Sequence, residues 1–162
     1  MTLNKIFKNT LILISACLLL SACATQKTVT TDGSQMQGDV YTGTDTVKEL
    51  ATGDPDRVFL ATNESILTTA SRETLRKQAE YLRKNSSMNI VLEGHADERG
   101  TREYNLALGE RRANAAKDYL MTYGISASRI SVIRYGKERP VDSGSNTLAW
   151  SKNRRSVTVK AN

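Results

Sequence analysis

The densest run of chemically capable side chains is Glu93 to Asn114, EGHADERGTREYNLALGERRAN. Asp97 offers a carboxylate that accepts from an ammonium, and Arg112 a guanidinium that grips a carboxylate through two parallel hydrogen bonds. Together they could hold a zwitterion, or they could form an ion pair that only pins a loop. Asn105 could cap the start of a helix or hydrogen-bond a ligand. Leu108 reads as groove wall or core, and Gly109 with Ala113 as the small residues that let a helix approach a sheet closely. Arg154 and Arg155 could supply a basic rim to such a site or simply solubilise the start of a strand.

The same inventory argues against an enzyme. His95 is the only histidine, so no histidine-based zinc site can form, and no cofactor motif is present. A hydrolase needs a nucleophile with a neighbouring base and an orienting group. Ser126 and Ser128 lack a G-x-S-x-G elbow or a Ser-x-x-Lys string around them. Asp97 and Glu98 are too close in sequence to define two opposed catalytic carboxylates by themselves. We therefore expect a binding protein, with His95 hydrogen-bonded at the end of a strand in the groove wall.

Several elements must position these groups. Arg57 to Ala61 is a short apolar run that predicts a first strand, followed by a polar turn. Leu75, Ala79 and Leu82 share one helical face, with a stop at Asn85-Ser86-Ser87. Asn89 to Glu93 predicts a second strand ending on Gly94, which puts Asp97 just beyond the carboxyl end of a strand, where α/β sheets usually place ligands. Leu106, Gly109, Ala113, Ala116 and Leu120 step by 3, 4, 3 and 4, the face of a second helix that Gly124 would end. Arg112 lies on that helix, and its side chain leans back toward the loop holding Asp97. A third strand at Ile130 to Tyr135, a short helix around Trp150 and a fourth strand at Ser156 to Lys160 complete the pattern. The fold class is α/β, a β-α-β-α-β-β sandwich: a mixed sheet with at least one parallel pair and with helices packed on one face. We expect this domain to run from 55 to 162.

Upstream, Lys5 and Lys8 precede an apolar run at Leu11 to Leu20, too short to span a bilayer as a mature helix. Leu20-Ser21-Ala22-Cys23 follows directly, an aliphatic residue, two small ones and a thiol, the pattern of a bacterial lipoprotein processing site. A similar string ending at Cys17 would leave too short an apolar core. Cleavage before Cys23 removes residues 1–22 as a signal peptide and leaves a single cysteine, with no internal disulfide. Acyl chains on Cys23 would anchor the chain stably to a membrane. Residues 23–54 are polar, with isolated Val29, Val40 and Tyr41 and no period, and predict a flexible linker with no part in the groove. Its 31 residues after the cysteine give a root-mean-square reach of about 30 Å. The formal charge of +6 falls to +4 once Lys5 and Lys8 are removed. That excess suits an anionic polymer, and no basic run with interleaved aromatics points to nucleic acid.

The strings Gly94 to Gly100 (GHADERG), Tyr104-Asn105, Leu108 to Asn114 (LGERRAN), Tyr135 to Pro140 (YGKERP) and Asn153-Arg154-Arg155 resemble the OmpA-like peptidoglycan-binding domain family, and within it the peptidoglycan-associated lipoproteins. The resemblance runs from Arg57 to Lys160. It implies a site for the diaminopimelate of the wall's stem peptide, bound by Asp97 and Arg112, with Asn105 and Leu108 in the groove. It implies a cell outer-membrane location facing the periplasm, with Ala24 after the cysteine directing delivery there. It also implies a periplasmic TolB-like partner whose surface overlaps the wall site, so the chain could act mainly as a protein-interaction module. Where many members carry acids after the first strand, this chain has Ala61 and Asn63, which leaves backbone groups to line that edge. A partly exposed Asp97 and Arg112 should be removable without loss of folding.

Overall fold

The computed structural model describes residues 36–161. The expected signal peptide 1–22, Cys23 and the first part of the expected linker lie outside the described residues. Four very short strands come first: β1 (Met36–Gln37), β2 (Val40–Tyr41), β3 (Glu49–Ala51) and β4 (Asp54–Pro55), paired as two antiparallel hairpins. The rest follows the expected order: β5 (Arg57–Phe59), α1 (Thr69–Lys84), β6 (Ile90–His95), α2 (Arg102–Thr122), β7 (Ile130–Gly136), α3 (Thr147–Asn153) and β8 (Arg155–Lys160).

The main sheet runs β5-β8-β6-β7. Its β6–β7 pair is parallel, as a helical crossover requires, while β8 enters between β5 and β6 antiparallel to both. Alternate residues of the sheet, Val58, Leu60, Ile90, Leu92 and Ile130, meet Leu75, Ala79 and Leu82 of α1 and Ala113, Ala116 and Leu120 of α2 in one core. Both long helices therefore pack on one face. The Thr68 hydroxyl accepts from Ser71 N–H at the start of α1, and Asn85 closes its end. Gly124, at φ +83°, ends α2, with the amides of Gly124 and Ile125 returning to Met121 and Leu120 carbonyls.

Two expectations change. The buried face of α2 runs through Asn105, Leu108, Gly109, Arg112, Ala113, Ala116 and Leu120, while Leu106 is only half-buried. The face is rotated because two polar residues find backbone partners inside and so need not face water. The linker also gives up its last part to the domain: both hairpins lie within residues 36–55, and Tyr41 and Leu50 are buried. Tyr41 meets Phe59 edge-on at 4.8 Å between ring centroids, and the Asp56 amide and carboxylate bond with the backbone of Lys48. Single apolar anchors hold this strap, which explains why it has no hydrophobic period.

Candidate functional site

The contact that sets the site's geometry is between Gly94 and Gly109. A Cβ on Gly109 would lie 2.6 Å from the Gly94 carbonyl oxygen, and one on Gly94 only 1.9 Å from the Gly109 oxygen. With neither present, α2 lies against β6 and Arg112 comes under the loop that leaves the strand, in keeping with the expected role of Gly109.

Asp97, two residues beyond β6, is a nearly buried carboxylate with a full set of donors. Its Oδ1 accepts from the Arg99 amide at 3.1 Å and from Arg99 Nε at 3.0 Å. Its Oδ2 accepts from Arg99 Nη2 at 2.7 Å and from Arg154 Nη1 at 3.3 Å. Burial pushes the Asp97 carboxyl up, but the hydrogen bonds from Arg99 and Arg154 outweigh it and hold the group below its usual range. Asp97 is ionised throughout the neutral range. Arg99 is the exposed member of the set: its guanidinium stacks on Trp150 at 4.4 Å from the ring centroid.

Arg112 makes no ion pair with Asp97. Its Nε, Nη1 and Nη2 donate to the carbonyls of Glu64, His95 and Ala61 at 2.9, 2.9 and 2.8 Å. Three of the five N–H groups of a guanidinium are used in this way, leaving two for another acceptor. Burial, and the positive charge of Arg154, lower the Arg112 pKa to about 10, with Asp97 acting against them. It remains a cation at neutral pH.

The reading of Asp97 and Arg112 as an ion pair pinning the loop is thus replaced by two neighbouring groups with separate partners. The expected partial exposure is also corrected, since Asp97 is 7%, Arg154 1% and Arg112 0% exposed. Asn105 does not cap α2. Thr101 does, accepting from the Tyr104 amide, while Asn105 is inside the helix and its Nδ2 donates to the Arg99 carbonyl at 2.8 Å. It braces the loop that carries Asp97. Leu108 is buried on the same face. His95 is buried at the end of β6, stacks on Tyr135, and has its Nε2 3.4 Å from the Glu93 carboxylate. Burial, with the charges of Arg155 and Arg57 beyond it, lowers its pKa to about 3, so it is neutral.

Three participants escape a reading of the sequence. Arg154 is not a solubilising rim residue: it is buried, with Nε on the Leu60 carbonyl at 3.3 Å and Nη1 on Asp97. Arg99 covers Asp97. Asp39, in the turn between β1 and β2, accepts from the Thr62 amide at 2.6 Å, its backbone carbonyl accepts from Arg154 Nη2, and its carboxylate is 4.0 Å from that nitrogen. Arg99 and Arg154 fall within the family strings Gly94 to Gly100 and Asn153-Arg154-Arg155, but neither string shows these contacts, and Asp39 left no signal. At the edge lacking acids, Ala61 and Thr62 serve through backbone groups. Among the described residues no cluster of His, Cys, Asp and Glu could hold a metal ion, and no helix is long and apolar enough to cross a membrane.

What the arrangement can do is bind a small group bearing both charges. Arg99, Arg112 and Arg154 face Asp97 and Asp39, an excess of one positive charge, in a setting where guanidinium contacts are little screened.

Comparison with known proteins agrees with this fold. The profile of the OmpA family matches residues 59–154. A peptidoglycan-associated lipoprotein of Mesorhizobium japonicum is 42% identical over 150 residues, covering 92% of this chain and 89% of that one. One of Agrobacterium fabrum is 38% identical over 162 residues, covering 97% and 90%. The crystal structure of the peptidoglycan-associated lipoprotein from Burkholderia pseudomallei superposes with a TM-score of 0.64 at 33% identity, over 65% of this chain and 90% of that one. By sequence and by fold, this chain belongs to the OmpA family and, within it, to the peptidoglycan-associated lipoproteins.

Proposed function

We propose that this chain anchors the bacterial outer membrane to peptidoglycan without covalent attachment to the wall, by binding the diaminopimelate end of a stem peptide. The observation that carries this reading is the placement of a buried, ionised Asp97 beside Arg112 at the carboxyl end of β6. The pendant end of diaminopimelate has an ammonium and a carboxylate on one carbon. Asp97 accepts from the ammonium once Arg99 swings toward solvent, and the carboxylate is taken by the two unused N–H groups of Arg112 together with the adjoining Thr62 amide and Arg154. Leu108 and the backbone of Ala61 and Thr62 shape the groove, and Asn105 keeps the loop in place. The role is one of holding, with no bond made or broken. Acyl chains on Cys23 fix the other end in the outer membrane, on its periplasmic face.

A TolB-like periplasmic protein is the second partner, in a Tol-Pal system that serves envelope integrity and division. Ile66 and Tyr104 favour it: they are 68% and 44% exposed, and Ile66 lies in the loop whose Glu64 carbonyl holds Arg112. Such apolar side chains give a protein surface something to bury beside the wall site. Two ligands sharing this rim compete, so the partner would release the chain from the wall.

The test is sedimentation of the purified mature chain, in detergent, with isolated wall sacculi stripped of other proteins. The native chain should pellet with the sacculi and Asp97→Asn should stay in solution while keeping its circular dichroism spectrum. Failure of the native chain to pellet would refute the anchor and favour the protein-interaction role.

A further inference from the structure

The wall site is occupied by the chain's own charges. Arg99 sits on Asp97 where a ligand ammonium would sit, and its side chain is 42% exposed, on the solvent side of the carboxylate. The anionic half has an occupant as well: the Asp39 carboxylate lies on the Thr62 amide and 4.0 Å from Arg154, whose Nη2 also donates to the Asp39 backbone carbonyl, so that a backbone donor and a guanidinium form an anion position covered by the turn. Asp39 comes from the strap of residues 36–54 and not from the sandwich itself.

We propose that the β1–β2 turn is a latch, with Asp39 acting as an internal carboxylate ligand that the wall's carboxylate must displace. The inference rests on the zwitterion reading of the site. Three features make the turn displaceable. Its two strands have two residues each, and so short a hairpin has little stability of its own. A cavity of about 450 Å³, bordered by Gln37, Val47 and Thr74, lies beside the Tyr41–Phe59 contact, so the strap is incompletely packed against β5 and the start of α1. The Asp39 side chain is 45% exposed, so water and ions already reach the contact. Beneath the latch Arg154 is almost inaccessible, and a ligand carboxylate reaches it only when Asp39 leaves. The strap is also the part of the domain nearest in sequence to Cys23, thirteen residues before Met36. A pull on the membrane end therefore acts first on the latch, and loosening it favours the wall-bound state.

If the latch is closed in most molecules, the apparent affinity is lowered by the fraction that is open. Calorimetric titration of the full mature chain in detergent with the synthetic stem tripeptide ending in meso-diaminopimelate measures this directly. Asp39→Ala should bind at least about threefold more tightly than the native chain, and Asp39→Asn should fall between them. Amide hydrogen exchange at Val40 and Tyr41 should speed up in the native chain on saturation with the tripeptide. Equal or weaker binding by Asp39→Ala overturns the latch, weaker binding meaning that Asp39 is a ligand contact. Asp97→Asn separates the two layers of the argument: if it loses the tripeptide while Asp39→Ala does not gain, the latch alone fails. If Asp97→Asn binds as well as the native chain, the zwitterion reading fails and the latch with it.

Discussion

Replacing Arg112 by alanine should damage the fold and not only the site. The guanidinium is wholly buried, and its three bonds of 2.8 to 2.9 Å go to the carbonyls of Ala61 and Glu64, in the loop after β5, and of His95, at the end of β6. Alanine leaves those acceptors in a cavity. A buried polar group that loses its partner costs about 1 to 3 kcal/mol, so three would cost at most about 3 to 9 kcal/mol, and the bonds to Ala61 and Glu64 are only partly buried. Water entering the cavity and relief of the repulsion from Arg154 offset part of this, which brings the expected loss to about 3 to 5 kcal/mol. Domains of this size have only about 5 to 15 kcal/mol of stability. Urea denaturation followed by circular dichroism should therefore show a much lower midpoint with a similar slope. Arg112→Lys should recover part of the loss, since a single ammonium cannot reach three carbonyls arranged around a planar fork. A loss below about 1 kcal/mol for the alanine variant would refute the reasoning and return Arg112 to the partly exposed, removable position expected from the sequence.

Gly109→Ala should destabilise by about 1 to 3 kcal/mol, although alanine in a helix is normally about 1 kcal/mol better than glycine, because its Cβ meets the Gly94 carbonyl; thermal melts check the sign. His95 titrates near 3 when folded, below its ordinary 6.5, so the stability gained by keeping it neutral is full above pH 6.5 and drains as pH falls toward 3. Melts between pH 7.5 and 4.5 should show this loss, at up to about 1.4 kcal/mol per pH unit, and His95→Gln should flatten it. Asp97, also held low, adds its own loss only below about pH 4. Cys23→Ala should retain its signal peptide and leave the detergent-soluble membrane fraction, which a blot of fractionated cells would show.

The sandwich was legible because its apolar residues keep time: Leu75, Ala79 and Leu82 in α1, and Ala113, Ala116 and Leu120 in α2, all reach one core. Asp97 and Arg112 were legible as candidates through their family strings, and the close approach at Gly109 through its size. What escaped was burial of polar groups. Asn105 looked like a cap or a ligand contact and Arg112 like a partly exposed cation, because their partners are backbone carbonyls, and a carbonyl leaves no mark in residue type. The Arg154 contact with Asp97 depends on β8 entering the middle of the sheet, a matter of topology. Asp39 sits in a segment with no period, held by isolated anchors such as Tyr41.

The central claim is that the site recognises both charges on one carbon of diaminopimelate. The most direct test is to titrate the native chain with two stem peptides that differ only in the third residue, meso-diaminopimelate or lysine, which keeps the ammonium and lacks the carboxylate. The account predicts that the lysine peptide binds at least about 30-fold more weakly, since it leaves buried guanidinium donors unpaired at a cost of about 2 kcal/mol or more. Equal affinity for the two peptides would contradict it.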